Sequence, residues 1–364
     1  MYLTPSNIVH FLMERGLATP EAIVAGDCAV TEIGRRCRNF KVVLGARTGF
    51  FVKQPRSRGG EADATLRREA ALYRLVPAEA QLRPLCRVLP RFVDFDEGRS
   101  ALVVELLPEG ENLNELHFRL KRFPPEVGEL LGRGLGAYHS AATGMALAPV
   151  AAGLFPRQLP WLFALRPGTL APLDSFPATV GPPLVAMLAA RPGLLAHLWG
   201  LGAAYRFDTL VHGDMKWDNV VVFRDEDEDA HDFRVIDWEL CDLGDAAWDI
   251  ASVFASYLIY LSMAPDWAAG DSRQDLTLGD ATGSIARFWA VYCQTLGVAP
   301  EAAAPLLQRC VAYVAGRLVL SVFEGLINAT LAMDRAEALM TLAANIAAAP
   351  QRAAAQLLGR EAGA

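Results

Sequence analysis

The stretch "VHGDMKWDNVVVF", Val211 to Phe223, opens on an apolar residue, then gathers His212, Asp214, Lys216, Asp218 and Asn219 into eight positions, and closes on an apolar β-branched run. Runs of that kind read as strands, so the ionisable residues fall at strand ends. The short apolar run in "TLVHGD" puts the Asp214 carboxylate where a strand gives way to a loop. Asn219 stands just before the next strand, and Asp237 ends the one after it, "FRVID". If those two strands pair as a hairpin, Asn219 and Asp237 meet at one end.

An amide oxygen beside a carboxylate is a hard oxygen set suited to Mg2+, which takes few protein ligands and draws the rest from water and phosphate. Asp214, outside that set, is left to orient or deprotonate a hydroxyl. Metal, positioning base and cationic clamps are the parts phosphoryl transfer needs, with little covalent work for the protein. Taken singly, Asp214 and Asn219 would read as loop caps and Asp237 as a turn former. Their grouping with Lys216 at two strand ends is what points to chemistry.

Outward from this stretch, the chain divides in character. Ile8, Val9, Leu12 and Met13 give one apolar helix face after Thr4, Pro5 and Ser6. Strands at Phe40 to Ala46 and Gly49 to Pro55 form a hairpin. A polar loop, "RSRGGEADA", and a helix over Thr65 to Val76 follow, and then the strands "RFVDFD" and "ALVVELL". Val30 to Leu107 thus reads as a small antiparallel sheet with one inserted helix. Glu126 to Ala142 is helical in period despite its glycines, and residues 148 to 182 carry no assignable pattern. The acidic run Asp225 to Asp232 reads as a solvated hairpin tip, or alternatively as a docking site for a cationic partner. From Asp245 onward only helices are expected, ending in an Ala-rich helix or two over Ala336 to Leu358. The expected organisation is an N-terminal lobe over 1–107, a hinge at 108–110, and a mainly helical lobe over 111–364 carrying a catalytic hairpin at 208–238, with a ligand cleft between the lobes.

Composition supports a folded chain. Of 364 residues, 52% are hydrophobic and 21% charged, so a large core is expected and global disorder is excluded. A net charge of −7 argues against a nucleic-acid partner. The six cysteines are scattered without a C-x-x-C pair, which speaks against a disulfide framework or a cysteine metal site. The N-terminus lacks the marks of a signal peptide, and "VFASYLIYLSMA" is too short to span a bilayer. A soluble cytoplasmic protein without a membrane partner is the expectation.

Lys53, in "FFVKQP", sits on a predicted strand among apolar neighbours, where an unpaired ammonium is costly. It requires anionic company.

"HGDMKWDN", "VIDWE" and "DAAWDIA" together resemble the signature of the aminoglycoside phosphotransferase and choline kinase-like family, itself related to protein kinases. The resemblance covers roughly Val30 to Ala255. It implies an α+β, protein-kinase-like two-lobed fold with an antiparallel-sheet N-lobe and a helical C-lobe. It further implies ATP and Mg2+, with Asp214 as catalytic base, Asn219 and Asp237 as magnesium ligands, and Asp249 bracing the catalytic loop. Lys53 would meet the ATP phosphates and Glu69, with Glu61 as a rival partner. Backbone groups of Glu105 and Leu107 would contact adenine.

Two departures matter, the first for nucleotide binding, which it neither confirms nor refutes, and the second for the acceptor. "EIGRRCRNF" is not the glycine-rich loop of protein kinases, and its Arg35, Arg36 and Arg38 face either phosphates or solvent. Lys216 gives Asp-Met-Lys-x-x-Asn the spacing of Ser/Thr protein kinases, where a cation meets charge on the transferring phosphoryl group. Trp217 is either a packing anchor or an acceptor-site wall. A small-molecule alcohol is the first expectation for the acceptor. Glu324, Asp242, Asp245, Asp266, Asp271 or Asp275 would suit a cationic one, and Trp248, Trp267, Trp289, Tyr257 or Tyr260 would suit a choline-type cage. The alternative is a precursor peptide: "LTPSNIVHFLMERGL" faintly resembles kinases of peptide natural-product pathways, including class V lanthipeptides and thioamitides. There, phosphorylation of Ser or Thr would prepare elimination by a partner lyase. A pseudokinase module and a nucleotide transferase are lesser alternatives.

Overall fold

The computed structural model describes residues 2–26, 28–34, 37–45, 48–107, 109–144, 151–225, 230–263 and 276–360. The chain forms two compact units: Met1–Asn112 with Asn219–Cys241, and Leu113–Asp218 with Asp242–Ala364.

In the first unit, helices α1 (Ile8–Glu14) and α2 (Pro20–Val24) precede strands β1 (Cys28–Glu32), β2 (Cys37–Leu44) and β3 (Thr48–Pro55). Helix α3 (Glu61–Ala78) follows, then β4 (Phe92–Asp96) and β5 (Ala101–Glu105). The five strands form one antiparallel sheet in the order β1-β2-β3-β5-β4. Alternation along β2 turns Phe40, Val42 and Leu44 inward, where they share a core with Ile8, Phe11 and Leu12 of α1. The Glu61 to Ala64 stretch of the expected loop is helical instead. Glu61 and Asp63 occupy the first turn of α3, where carboxylates suit the helix dipole, and Asp63 Oδ2 accepts the Gly59 N–H at 2.9 Å just ahead of the helix.

Strand β6 (Glu111–Asn112) belongs to a second sheet of this unit. Helices of the second unit separate it in sequence from its partner strand. The second unit begins with α4 (Leu113–Leu120), α5 (Pro125–Ala142), α6 (Ala151–Leu154), α7 (Gly181–Ala189) and α8 (Pro192–Ala204). The stretch without a sequence pattern thus holds α6 and two 3-10 turns, Trp161–Ala164 and Ala171–Ser175, and it buries Leu162 and Phe163. Strand β7 (Thr209–Val211) leads to the catalytic loop.

Strands β8 (Val220–Asp225) and β9 (Ala230–Val235) then form a hairpin in the register Val220↔Val235, its expected acidic tip lying partly outside the described residues. Sequence reading put this hairpin with the helical lobe. It packs within the first unit instead, because β8 pairs with β6 and the Val235 N–H donates to Val88 O at 2.7 Å.

Strand β10 (Asp242–Gly244) pairs antiparallel with β7 in the second unit. Helices α9 (Ala246–Met263), α10 (Leu278–Leu296), α11 (Pro300–Ile327), α12 (Met333–Ala348) and α13 (Pro350–Leu357) complete it. The glycines of α5 have a purpose. A Cβ on Gly128 or Gly132 would stand 2.3 Å from Ser284 O or 2.5 Å from Phe288 O, so α5 and α10 meet backbone to backbone. Among the described residues, α11 is long and apolar enough to cross a membrane, as is the pair α7–α8, bent by 100°. In α11, 61% of the apolar stretch is buried within the fold, the pattern of a core helix.

Candidate active site

The sequence-predicted residues fall into two constellations, one in each unit. In the first, Lys53 on β3 is almost wholly buried and donates from Nζ to both Glu69 oxygens at 2.9 Å and to Asp237 Oδ1 at 2.7 Å. Glu69, not Glu61, is the partner that α3 supplies. Its Oε1 also accepts the Trp238 N–H at 3.2 Å, tying α3 to the turn after β9. Burial works against the Lys53 ammonium, but Asp237 and Glu69 outweigh it and hold the group charged far into alkaline pH. Burial, only partly countered by Lys53, pushes the Glu69 carboxyl above the usual carboxylate range. Buried Cys37 is likewise pushed up to about 11, first by burial and then by Glu239, so it is a poor nucleophile.

Asp237 adopts left-handed backbone angles, φ 67° and ψ 56°, uncommon for a non-glycine residue but among those aspartate tolerates. Its side chain is 41% exposed. The Ile236 N–H donates to Asn219 O at 2.8 Å, so the two ends of the hairpin meet as expected and set Asn219 beside Asp237. Among the described residues no cluster of three or more His, Cys, Asp or Glu fits a metal ion. One amide oxygen and one carboxylate fit a hard cation that draws its remaining ligands from phosphate and water. At the end of β5 the Glu105 N–H donates to Arg91 O at 3.0 Å, and Leu107 O accepts the Gly110 N–H at 3.1 Å.

In the second unit the catalytic loop hangs from α9 and α11. Fully buried Asp249 accepts the His212 N–H at 2.8 Å and the Gly213 N–H at 3.0 Å, and Trp248 Nε1 donates to Gly213 O at 3.0 Å. Gly213 has φ 83°, a conformation that favours glycine at this turn. The Asp214 carboxylate is gripped on both oxygens: Arg317 Nη2 lies 2.8 Å from Oδ1 and Lys216 Nζ 2.8 Å from Oδ2. Burial pushes the Asp214 carboxyl up, but Lys216 and Arg317 outweigh it and hold it well below the usual carboxylate range. Lys216 also donates to Glu324 Oε2 at 3.2 Å, and against the cost of burial these two carboxylates keep it charged. Sequence reasoning missed Arg317. An arginine flanked on both sides by apolar runs, in "VAYVAGRLVLSVF", was the available signal, since a buried guanidinium demands an anion.

Other candidates are absorbed by structure. Trp217 is 1% exposed, with its ring centroid 4.5 Å from His117 and 4.6 Å from Tyr257, so it is a packing anchor. Trp248, Trp289 and Tyr257 are core residues, whereas Tyr260 is half-buried. Asp242 accepts the backbone N–H groups of Arg157 and Gln158, and buried Asp245 accepts from Tyr313. Arg38 donates to Leu3 O. Arg35, Arg36, Asp266, Trp267, Asp271 and Asp275 lie outside the described residues.

A model of the phosphotransferase enzyme family matches residues 30–289. The chain belongs to this family. No curated protein matches the phosphotransferase in sequence. Its fold is similar to that of an ethanolamine kinase from Plasmodium vivax, at 14% identity and a TM-score of 0.56, over 94% of this chain and 87% of that one. A choline kinase from Cryptosporidium parvum is similar at 11% identity and a TM-score of 0.57, over 98% and 99% of the two chains. The GDP complex of an aminoglycoside 2'-phosphotransferase is similar at 14% identity and a TM-score of 0.52, over 96% and 100%. At these identities the likeness is one of fold: the phosphotransferase has the α+β, protein-kinase-like architecture.

Proposed function

We propose that this phosphotransferase moves the γ-phosphoryl group of ATP, with Mg2+, to an alcohol hydroxyl of a small molecule. The observation that carries the proposal is buried Lys53, which bonds Glu69 and Asp237 together and so fixes a cation beside a metal-competent carboxylate. Lys53 would take the ATP phosphates, and the Glu105 carbonyl and Leu107 amide the adenine. Asn219 and Asp237 would hold the magnesium, which when bound neutralises charge on the phosphate oxygens. Asp214 orients the acceptor hydroxyl and accepts its proton, and Lys216 offers charge to the moving phosphoryl group.

The pairing of Lys216 with Asp214 Oδ2 favours one second reading, a Ser or Thr hydroxyl of a precursor peptide. Acceptors of both kinds are to be incubated with the chain and MgATP and weighed intact. A gain of one phosphoryl group supports the proposal and tells which acceptor class is used, whereas a gain of one nucleotide refutes it. Calorimetry on Asp237→Ala supplies a second check. ATP affinity that no longer responds to Mg2+ is expected, and unchanged metal-dependent affinity removes the metal role.

A further inference from the structure

The two cations on Asp214 are not equivalent. Arg317 is 3% exposed and is held three ways: Nη2 on Asp214 Oδ1 at 2.8 Å, Nη1 near Gly213 O at 3.4 Å, and its guanidinium carbon 5.0 Å from the Trp248 ring centroid. Lys216 is one-third exposed, and its ammonium lies between two carboxylates, Asp214 Oδ2 at 2.8 Å and Glu324 Oε2 at 3.2 Å. Arg317 and Glu324 are seven residues apart on α11, which puts them on one face two turns apart. One helix therefore supplies a fixed partner for the aspartate and a second partner for the lysine.

We propose that Arg317 is a positioning residue of phosphoryl transfer: it anchors Asp214 through Oδ1, while Lys216 exchanges between Oδ2 and Glu324, making Oδ2 the working oxygen. This deepens, and rests on, the reading of Asp214 as the group that handles the acceptor hydroxyl. In the step, the acceptor oxygen forms a bond to the γ-phosphorus. The bond from that phosphorus to the β,γ-bridging oxygen breaks, and its electron pair leaves on ADP. The hydroxyl proton passes to Asp214 Oδ2, which Lys216 has vacated. Glu324 keeps the displaced ammonium paired, so no charge is stranded. Arg317 cannot make the same exchange, because its planar fork is already committed to the loop carbonyl and the indole face. It keeps Asp214 ionised and aimed throughout.

The test uses MgATP hydrolysis, in which water stands in for the unidentified acceptor. Arg317→Met is expected to lower kcat by about 100-fold or more while leaving KM for MgATP within about threefold, the split expected of a group acting only in the transition state. Arg317→Lys should recover about tenfold of that loss, and Glu324→Gln should lower kcat several-fold with KM unchanged. A folded Arg317→Met variant with wild-type kcat overturns the inference, and so does an Arg317→Lys variant as damaged as Arg317→Met. If Arg317→Met does not fold, wild-type kcat in both Arg317→Lys and Glu324→Gln overturns it. A wild-type chain that transfers phosphate neither to water nor to the acceptors incubated with MgATP overturns the phosphotransfer reading and this inference with it.

Discussion

Acidification is expected to destabilise the second unit through His117. This side chain is fully buried on α4, its Nδ1 lies 3.1 Å from Arg122 O, and its ring packs against Trp217, Phe123 and Tyr257. Burial drags its pKa from an ordinary 6.5 to about 4, and the contact with Arg122 O only partly opposes this. Between those two values the unfolded chain holds the proton and the folded chain refuses it. Stability is therefore fully present above about pH 6.5 and drains away as the pH falls toward 4. Taking about 1.4 kcal/mol per pH unit, the full loss is about 3 kcal/mol, of which about 2 kcal/mol has gone by pH 5. In a unit of this size that lowers the melting temperature by roughly 4–8 °C.

The assay is thermal and urea unfolding of the wild type and of His117→Phe at pH 7.5 and pH 5. Phenylalanine forfeits the contact with Arg122 O, so the variant starts from a different baseline, but it cannot take up the proton. Its curve should fall less steeply by the amount just given. Parallel curves would refute the reasoning. Acid loss of the second unit's stability should follow His117 and not Asp214, whose carboxyl stays ionised far lower.

Replacing Lys53 by Met leaves Glu69 buried without its partner and should cost about 3–5 kcal/mol in unfolding experiments. The double variant with Glu69→Gln should regain much of that stability but no ATP affinity. Asp214→Asn should abolish phosphoryl transfer while calorimetry shows MgATP binding largely intact, and unchanged turnover removes Asp214 from its role. Gly132→Ala forces α5 away from α10 and should destabilise the chain by about 1–3 kcal/mol, read as a lowered melting temperature. A neutral result there would mean that the helices part at no cost.

The clearest parts of the sequence were those where a charge had to be explained. Lys53 on an apolar strand required an anion, and Glu69 and Asp237 supply two carboxylates. Asn219 and Asp237 were legible as neighbours because a hairpin register follows from two adjacent strands. Arg317 poses the same puzzle as Lys53, but its anion lies 103 residues away in sequence, and no local pattern links α11 to the catalytic loop. The left-handed turn at Asp237 was invisible because aspartate tolerates that conformation without requiring it. The allegiance of β8 and β9 was misjudged because β6, only two residues long, is too short to announce itself.

That allegiance constrains how the chain can be made and cut. The first unit takes its last strands from residues 219–241, so it is not complete when residue 112 leaves the ribosome. Until then β6 has no β8 beside it, the Val88 carbonyl has no partner in Val235, and Glu69 lacks the turn that caps it. More than a hundred residues of the other unit must be synthesised while that edge stays open, a loop whose closure is slow and whose exposed strand invites pairing with other chains. A fragment ending at the apparent domain boundary should be insoluble, whereas one rejoining 1–112 directly to 219–241 should not.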